Sequence, residues 1–276
     1  STSISNQVSI RAAYDAGSAD LAEHARRQAW WPVGEQMPFD VARAYIDPAV
    51  PRQLSHIRAT RSRQLLAERH GQITPEWMTR IARDHYEGTF LEGPYFDAAD
   101  PDFLSICMHV SPAGFTWGNT ASSCVATLPR SPEEAPVFWW TPGPPCLGCY
   151  VPFFVNGGEL PAVVSRAGTA GKRVVAPHQA QIDDWAPGSY WWMFRRLTDV
   201  VKGDPVASMP GYYATRSHLV RERFDGLEQE FATELPAVLQ VYAASGDAAV
   251  LSAFTTRCIE RVVGELREIT ERLGGA

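Results

Sequence analysis

From Leu104 to Thr141 the chain reads LSICMHVSPAGFTWGNTASSCVATLPRSPEEAPVFWWT. Three extended runs, LSICMHV, ASSCVATL and PVFWWT, are separated by Ser, Pro, Gly and Asn, the residues that supply turn geometry. Each run has the length of one strand, so adjacent antiparallel strands are expected here.

The periodicity changes on both sides. Upstream, Asp20 to Trp30, Pro38 to Ile46, Pro51 to Arg69 and Pro75 to Tyr86 carry starting Pro, Ser, Thr or Asp residues and apolar positions three or four apart, which predicts four helices. Residues 4 to 13 alternate apolar and polar through Ile4, Asn6, Val8 and Ile10 and predict a strand with one buried face. Downstream, a Gly/Pro-rich loop through Gly188 precedes helices over Ser189 to Lys202, about Ser217 to Tyr242 and Ala248 to Leu273. Pro236 should kink or break the second of these. Strand, helices, meander and helices in that order predict an α+β domain, with sheet layers covered by helices.

The 276 residues are 45% hydrophobic and 20% charged, within the range of one globular domain. We expect a single domain over 1–276, with residues 1–188 forming the core and 189–276 a helical part packed on it. The net charge of −6, without a basic stripe, argues against a nucleic-acid partner. No apolar run approaches the roughly 20 residues that cross a bilayer. No membrane partner is expected, and the cytoplasm is the expected location. Homo-oligomerisation is left open.

Five cysteines, Cys107, Cys124, Cys146, Cys149 and Cys258, make no disulfide framework. The tight pair Cys146-Leu147-Gly148-Cys149 invites a zinc or redox reading. Zinc would need two further ligands, and the nearest histidines, His109 and His178, lie dozens of residues away on either side. A redox pair belongs at the start of a helix, whereas prolines flank this one. No metal and no cofactor is expected.

Several segments together resemble the secernin and dipeptidase A family of N-terminal nucleophile (Ntn) cysteine hydrolases. SISNQVSI is similar to that family's Ile-Ser-Asn strand, and ARRQAWW to its Gln-Gly-Trp-Trp helix. SICMHV and TASSCVATLP resemble its Cys-Met-His strand and the hydroxyl-rich strand after it. GPPCLGCYVPFF resembles its Pro-Cys loop, and SYWWMFRRLTDVVKGD its late Trp-rich helix. The resemblance implies an αββα sandwich that cleaves dipeptides or related small amides through a Cys at the start of the mature enzyme. Neither that Cys nor the family's Asn-Ser-Asp-Arg strand is in this sequence. The chain therefore reads as the larger, carboxy-terminal portion of such a fold, completed by an amino-terminal segment or a companion chain.

On that alignment Ser1 matches an interior position rather than the nucleophile, although an amino-terminal Ser can attack a carbonyl with its own amine as base. Asn6 is the candidate catalytic residue, its amide donating to the oxyanion of the attacked carbonyl. Thr120, Ser122 and Ser123 are candidate substrate-binding hydroxyls, with strand packing as the plain alternative. Arg195 is a candidate clamp for a substrate carboxylate, with a surface ion pair as its alternative. His109 has the titration range of a general base, yet Ntn chemistry does not require one, and a structural role is favoured. Cys124 has no adjacent His to activate it. Two other functions compete with the hydrolase: an inactive Ntn-fold binding or assembly module, and a thiol redox protein using Cys146 and Cys149.

Overall fold

A computed structural model describes residues 3–5, 8–34, 37–49, 52–89, 92, 105–109, 118–131, 134–165, 167–169, 173–175, 186–203 and 211–274. The chain divides into two compact units, Ser1–Gln72 and Ile73–Ala276.

The first unit holds α1 (Leu21–Arg27), α2 (Val41–Tyr45) and α3 (Arg52–Glu68). Asp40 caps α2 by accepting from the Arg43 N–H at 2.9 Å, which satisfies one of the orphan donors of a helix start. A small aromatic cluster joins α1 to α2: Ala25, Trp31 and Ala44 are buried with Phe39 and Tyr45 packed against them. The Tyr45 hydroxyl donates to the Leu21 carbonyl at 2.7 Å.

The second unit contains α4 (Pro75–Ala82), β1 (Ser122–Thr127), β2 (Val137–Pro142), β3 (Val151–Phe154), α5 (Ala162–Ser165), β4 (Ala167–Thr169), β5 (Arg173–Val175), α6 (Tyr190–Lys202), α7 (Tyr213–Ser245) and α8 (Ala248–Gly274). Strands β1, β2 and β3 form an antiparallel sheet in that order, with Val125 opposite Trp139 and Val137 opposite Phe154. β4 and β5 form a separate hairpin. The fold is thus mixed, helical with a small antiparallel sheet. One core joins the sheet to the helices: Val137, Trp139 and Val151 are buried with Phe194 and Leu197 of α6, Phe224 and Phe231 of α7, and Phe254, Ile259 and Val262 of α8. The buried Thr255 hydroxyl on α8 donates to the Pro152 carbonyl of β3 at 2.8 Å.

Several expectations are corrected. Among the described residues of 4–13 there is no strand. The Ile10 carbonyl accepts from the Ala42 N–H of α2, the Ser5 hydroxyl donates to the Ser55 carbonyl, and Ile4, Val8 and Ile10 are exposed. Alternation alone cannot make a strand without a partner for its backbone. In LSICMHV, residues 105–107 form bends and no strand is found among the described residues 105–109; Met108 exchanges hydrogen bonds with Thr120. The third strand of the meander is instead β3, hidden from sequence reading by Pro152. An edge strand tolerates proline, because its outward N–H has no ladder partner to lose. Helix α7 runs unbroken through Pro236. Its packing against α8, with buried Leu227 and Phe231 facing the helix that carries Phe254 and Cys258, outweighs one missing helical hydrogen bond.

Candidate functional site

α4 ends at Ala82 rather than reaching Tyr86. Its N-cap Thr74 accepts from the Trp77 N–H, and Pro75 occupies the first turn, where its missing N–H costs nothing. Past its end, Tyr86 adopts φ 69°, a left-handed conformation that costs a bulky residue energy. The surroundings hold it there. The Asp84 carboxylate accepts from the Tyr86 N–H at 3.1 Å, and the Tyr86 carbonyl accepts from the Thr89 N–H and hydroxyl. This reversal turns the His85 ring inward, where it is buried.

Three more side chains converge on it. Cys107 and His109 lie two residues apart on an irregular segment that brings both side chains into the cluster. The segment is fixed by the Cys107 N–H donating to the Asp84 carbonyl, by the Ser105 hydroxyl on the Cys107 carbonyl at 2.7 Å, and by Met108 against Thr120. Cys146 comes from the Pro-rich turn after β2, where the Leu147 N–H donates to the Pro144 carbonyl. Cys107 and His109 have no exposed surface, and Cys146 and His85 retain 5% and 7%.

The donor atoms of these four residues lie within 4.8 Å of one another. His109 Nε2 is 3.2 Å from His85 Nε2, 3.6 Å from Cys107 Sγ and 3.1 Å from Cys146 Sγ. On the outer side of the cluster, His85 Nδ1 faces the Glu87 carboxylate at 3.3 Å. The Tyr213 ring, at the start of α7, meets the His109 ring edge-on with centroids 5.5 Å apart.

Electrostatics differ sharply across these neighbours. Burial works against charging His85, but hydrogen bonds and charge from Cys146 and Glu87 prevail and raise its pKa to about 9. Burial dominates at His109 and lowers it to about 4. Burial also disfavours the Cys146 thiolate, yet the Cys107 hydrogen bond and the two imidazoles hold that thiol well below its ordinary value. Two imidazole nitrogens and two sulfurs converging in a buried pocket make a ligand set suited to a soft or borderline metal ion.

A polar clamp fixes the turn that carries Cys146. The Arg83 Nε donates to the Pro145 carbonyl at 3.0 Å and its Nη2 to Glu228 at 2.5 Å. Arg221 donates to the Gly148 carbonyl, and Glu228 accepts from the Tyr150 N–H at 2.8 Å. At Gly148 the backbone passes so close to buried Thr141 that a Cβ would overlap its side chain. Cys149, three residues on, turns away toward the Phe224 carbonyl of α7 and is pushed well above its ordinary pKa, first by burial. The two cysteines of the Cys-x-x-Cys pair therefore occupy different environments.

The other sequence candidates fall elsewhere. Asn6 lies outside the described residues, as does Ser1. The Thr120 hydroxyl accepts from the Met108 N–H. Ser122 is exposed on β1, while the Ser123 hydroxyl accepts from the Tyr150 hydroxyl at 2.6 Å. Arg195 is bound to Asp199 one turn along α6 at 2.9 Å. His109 is placed in the buried cluster, and Cys124 is exposed on β1 with a pKa raised by partial burial.

Sequence reading passed over His85, Cys107 and Glu87. The Cys-x-His spacing at 107–109 was the available signal; nothing local tied it to Cys146. No helix is long and apolar enough to cross a membrane among the described residues. No known protein-family model matches the chain.

Proposed function

We propose that this chain is the larger part of a dipeptidase-type amide hydrolase, resembling the secernin and dipeptidase A enzymes and built on an Ntn-like sandwich. Its nucleophilic Cys is supplied by an amino-terminal segment or a companion chain, and it acts on short peptides or acyl amides in the cytoplasm. The observation that carries the reading is the outer edge of β1. Ser122 is exposed, Ser123 is bonded to Tyr150, and no strand pairs with the outer edge of β1 among the described residues. An extended peptide can lie along such an edge through main-chain hydrogen bonds, with exposed Ser122 reading its polar groups. Asn6 is assigned the oxyanion contact. The five cysteines, none in a disulfide, suit a reducing compartment.

A second reading, an inactive binding module of the same fold, draws on Thr120 and Arg195. Both are engaged within the protein's own structure, by Met108 and Asp199.

The test is a dipeptide panel. The chain alone should be inactive, and joining it to a Cys-led amino-terminal segment should produce hydrolysis. In that complete protein Asn6→Ala should lower kcat on the order of a hundredfold with KM nearly unchanged, because an oxyanion donor acts in the transition state. Hydrolysis by the chain alone that Ser1→Ala abolishes would overturn the assignment; inactivity of every completed form would favour the binding module.

A further inference from the structure

We propose that His85, Cys107, His109 and Cys146 together bind one Zn2+ in a closed, tetrahedral Cys2His2 site that locks the second unit's core. The inference does not depend on the hydrolase reading, and either can fail without the other.

Geometry carries it. Zinc bonded to imidazole nitrogen at about 2.0 Å and to thiolate at about 2.3 Å demands tetrahedron edges of about 3.3 Å for N···N and about 3.5 Å for N···S. The edges meeting at His109 Nε2 are 3.2 Å to His85 Nε2, 3.6 Å to Cys107 Sγ and 3.1 Å to Cys146 Sγ. One ring nitrogen carries either a single proton or a single lone pair, so it cannot form ordinary hydrogen bonds with three donors at once. A cation at the centroid gives every one of those contacts a reason.

Charge points the same way. Two thiolates and a divalent cation sum to zero, which suits a pocket where Cys107 and His109 are wholly buried and an unbalanced charge is costly. Binding exchanges two protons for one metal ion: whichever of the four ligands hold them give them to solvent, both sulfurs bind as thiolates, both imidazoles bind neutral through Nε2, and nothing is oxidised or reduced. With Nε2 committed to the ion, His85 Nδ1 carries its proton and donates it to Glu87 at 3.3 Å. This is the carboxylate–histidine–metal relay that orients ligating imidazoles. Soft sulfur donors disfavour magnesium and calcium.

All four positions are filled by protein, so no coordination site is left for water or substrate, and the ion is structural rather than catalytic. It ties three segments distant in sequence: the strained turn after α4, the irregular segment at 105–109, and the turn between β2 and β3. Cys149 takes no part.

The full chain should be purified, stripped with a strong chelator, and titrated separately with Zn2+ and Co2+. One equivalent of zinc should bind and raise Tm. Cobalt should give thiolate charge-transfer bands together with the intense visible bands of tetrahedral coordination. Cys149→Ser should keep both signatures, whereas Cys107→Ser and Cys146→Ser should each lose the cobalt–thiolate absorption in proportion to the sulfur removed. If those variants fail to fold, the wild-type titration decides alone. Absence of stoichiometric zinc, an octahedral cobalt spectrum, or a Cys107–Cys146 disulfide by mass spectrometry in protein kept under reductant would overturn the proposal.

Discussion

Cys146 Sγ lies 3.1 Å from His109 Nε2, although 37 positions separate the two residues in the chain. The contact depends on a turn whose carbonyls and N–H groups are gripped from two helices. Arg83 follows α4, Arg221 and Glu228 belong to α7, and the carboxylate of Glu228 receives both Arg83 and the Tyr150 N–H.

Glu228 is therefore the keystone of the turn. Glu228→Ala would leave the little-exposed guanidinium groups of Arg83 and Arg221 only the exposed Asp225 carboxylate they also share. With that second carboxylate remaining, the loss of charge-assisted hydrogen bonds typically costs about 1.5 to 3 kcal/mol. Urea denaturation should show a loss of that order, with Glu228→Gln milder because it keeps an acceptor for the Tyr150 N–H.

Pro236 should be a stabilising position to replace. It is exposed inside the continuous helix α7, where proline lacks an N–H and disfavours the helix by up to about 3 kcal/mol relative to alanine. Pro236→Ala should raise stability by about 1 to 3 kcal/mol in chemical denaturation. A loss of stability would show that the proline is needed for the path of the helix.

Cys258, buried on α8, has its thiol pushed up to about 12, first by burial. In the unfolded chain it ionises near about 8.5, so above that pH the unfolded state binds fewer protons than the folded one. The stability attached to this thiol is complete below about pH 8 and falls by about 1.4 kcal/mol per pH unit as pH rises toward 12. Cys258→Ala should flatten the decline of stability between pH 9 and 10.5 by about that slope relative to wild type, measured from denaturation midpoints. Equal slopes in the two proteins would contradict the shift.

Exposed Cys124 should be the first thiol alkylated by iodoacetamide in the folded protein, ahead of buried Cys149 and Cys258. Its own pKa is raised by partial burial, so its rate should still be climbing at pH values where an ordinary thiol has levelled off. Peptide mapping after brief labelling across a pH series measures both the order and the profile.

Most helices were legible because their signals are local. Pro75 with Thr74 before it, Ser189 ahead of the aromatic run of α6, and the apolar spacing of α8 all act within a turn or two of where they sit. β1 and β2 were legible from the turn residues between them. Strand β3 was not, because its fitness for an edge place depends on a neighbour, and Pro152 looks like a breaker until that place is known. The alternation at residues 4–13 failed for the converse reason: the pattern was present, and among the described residues no strand pairs with it. The cluster was least legible. Cys146 was judged beside Cys149, its neighbour in sequence, whereas its neighbours in space are His85, Cys107 and His109, delivered by a helix end and an irregular segment that carry no periodic pattern. Thr120 and Arg195, chosen for their chemistry, proved to be held by Met108 and Asp199.

X-ray absorption at the zinc edge of the 276-residue chain tests the buried centre most directly. A first shell of two sulfurs at about 2.3 Å and two nitrogens at about 2.0 Å, with imidazole scattering in the outer shells, is the result predicted for His85, Cys107, His109 and Cys146. A shell of oxygen ligands, or one with no sulfur, would contradict it.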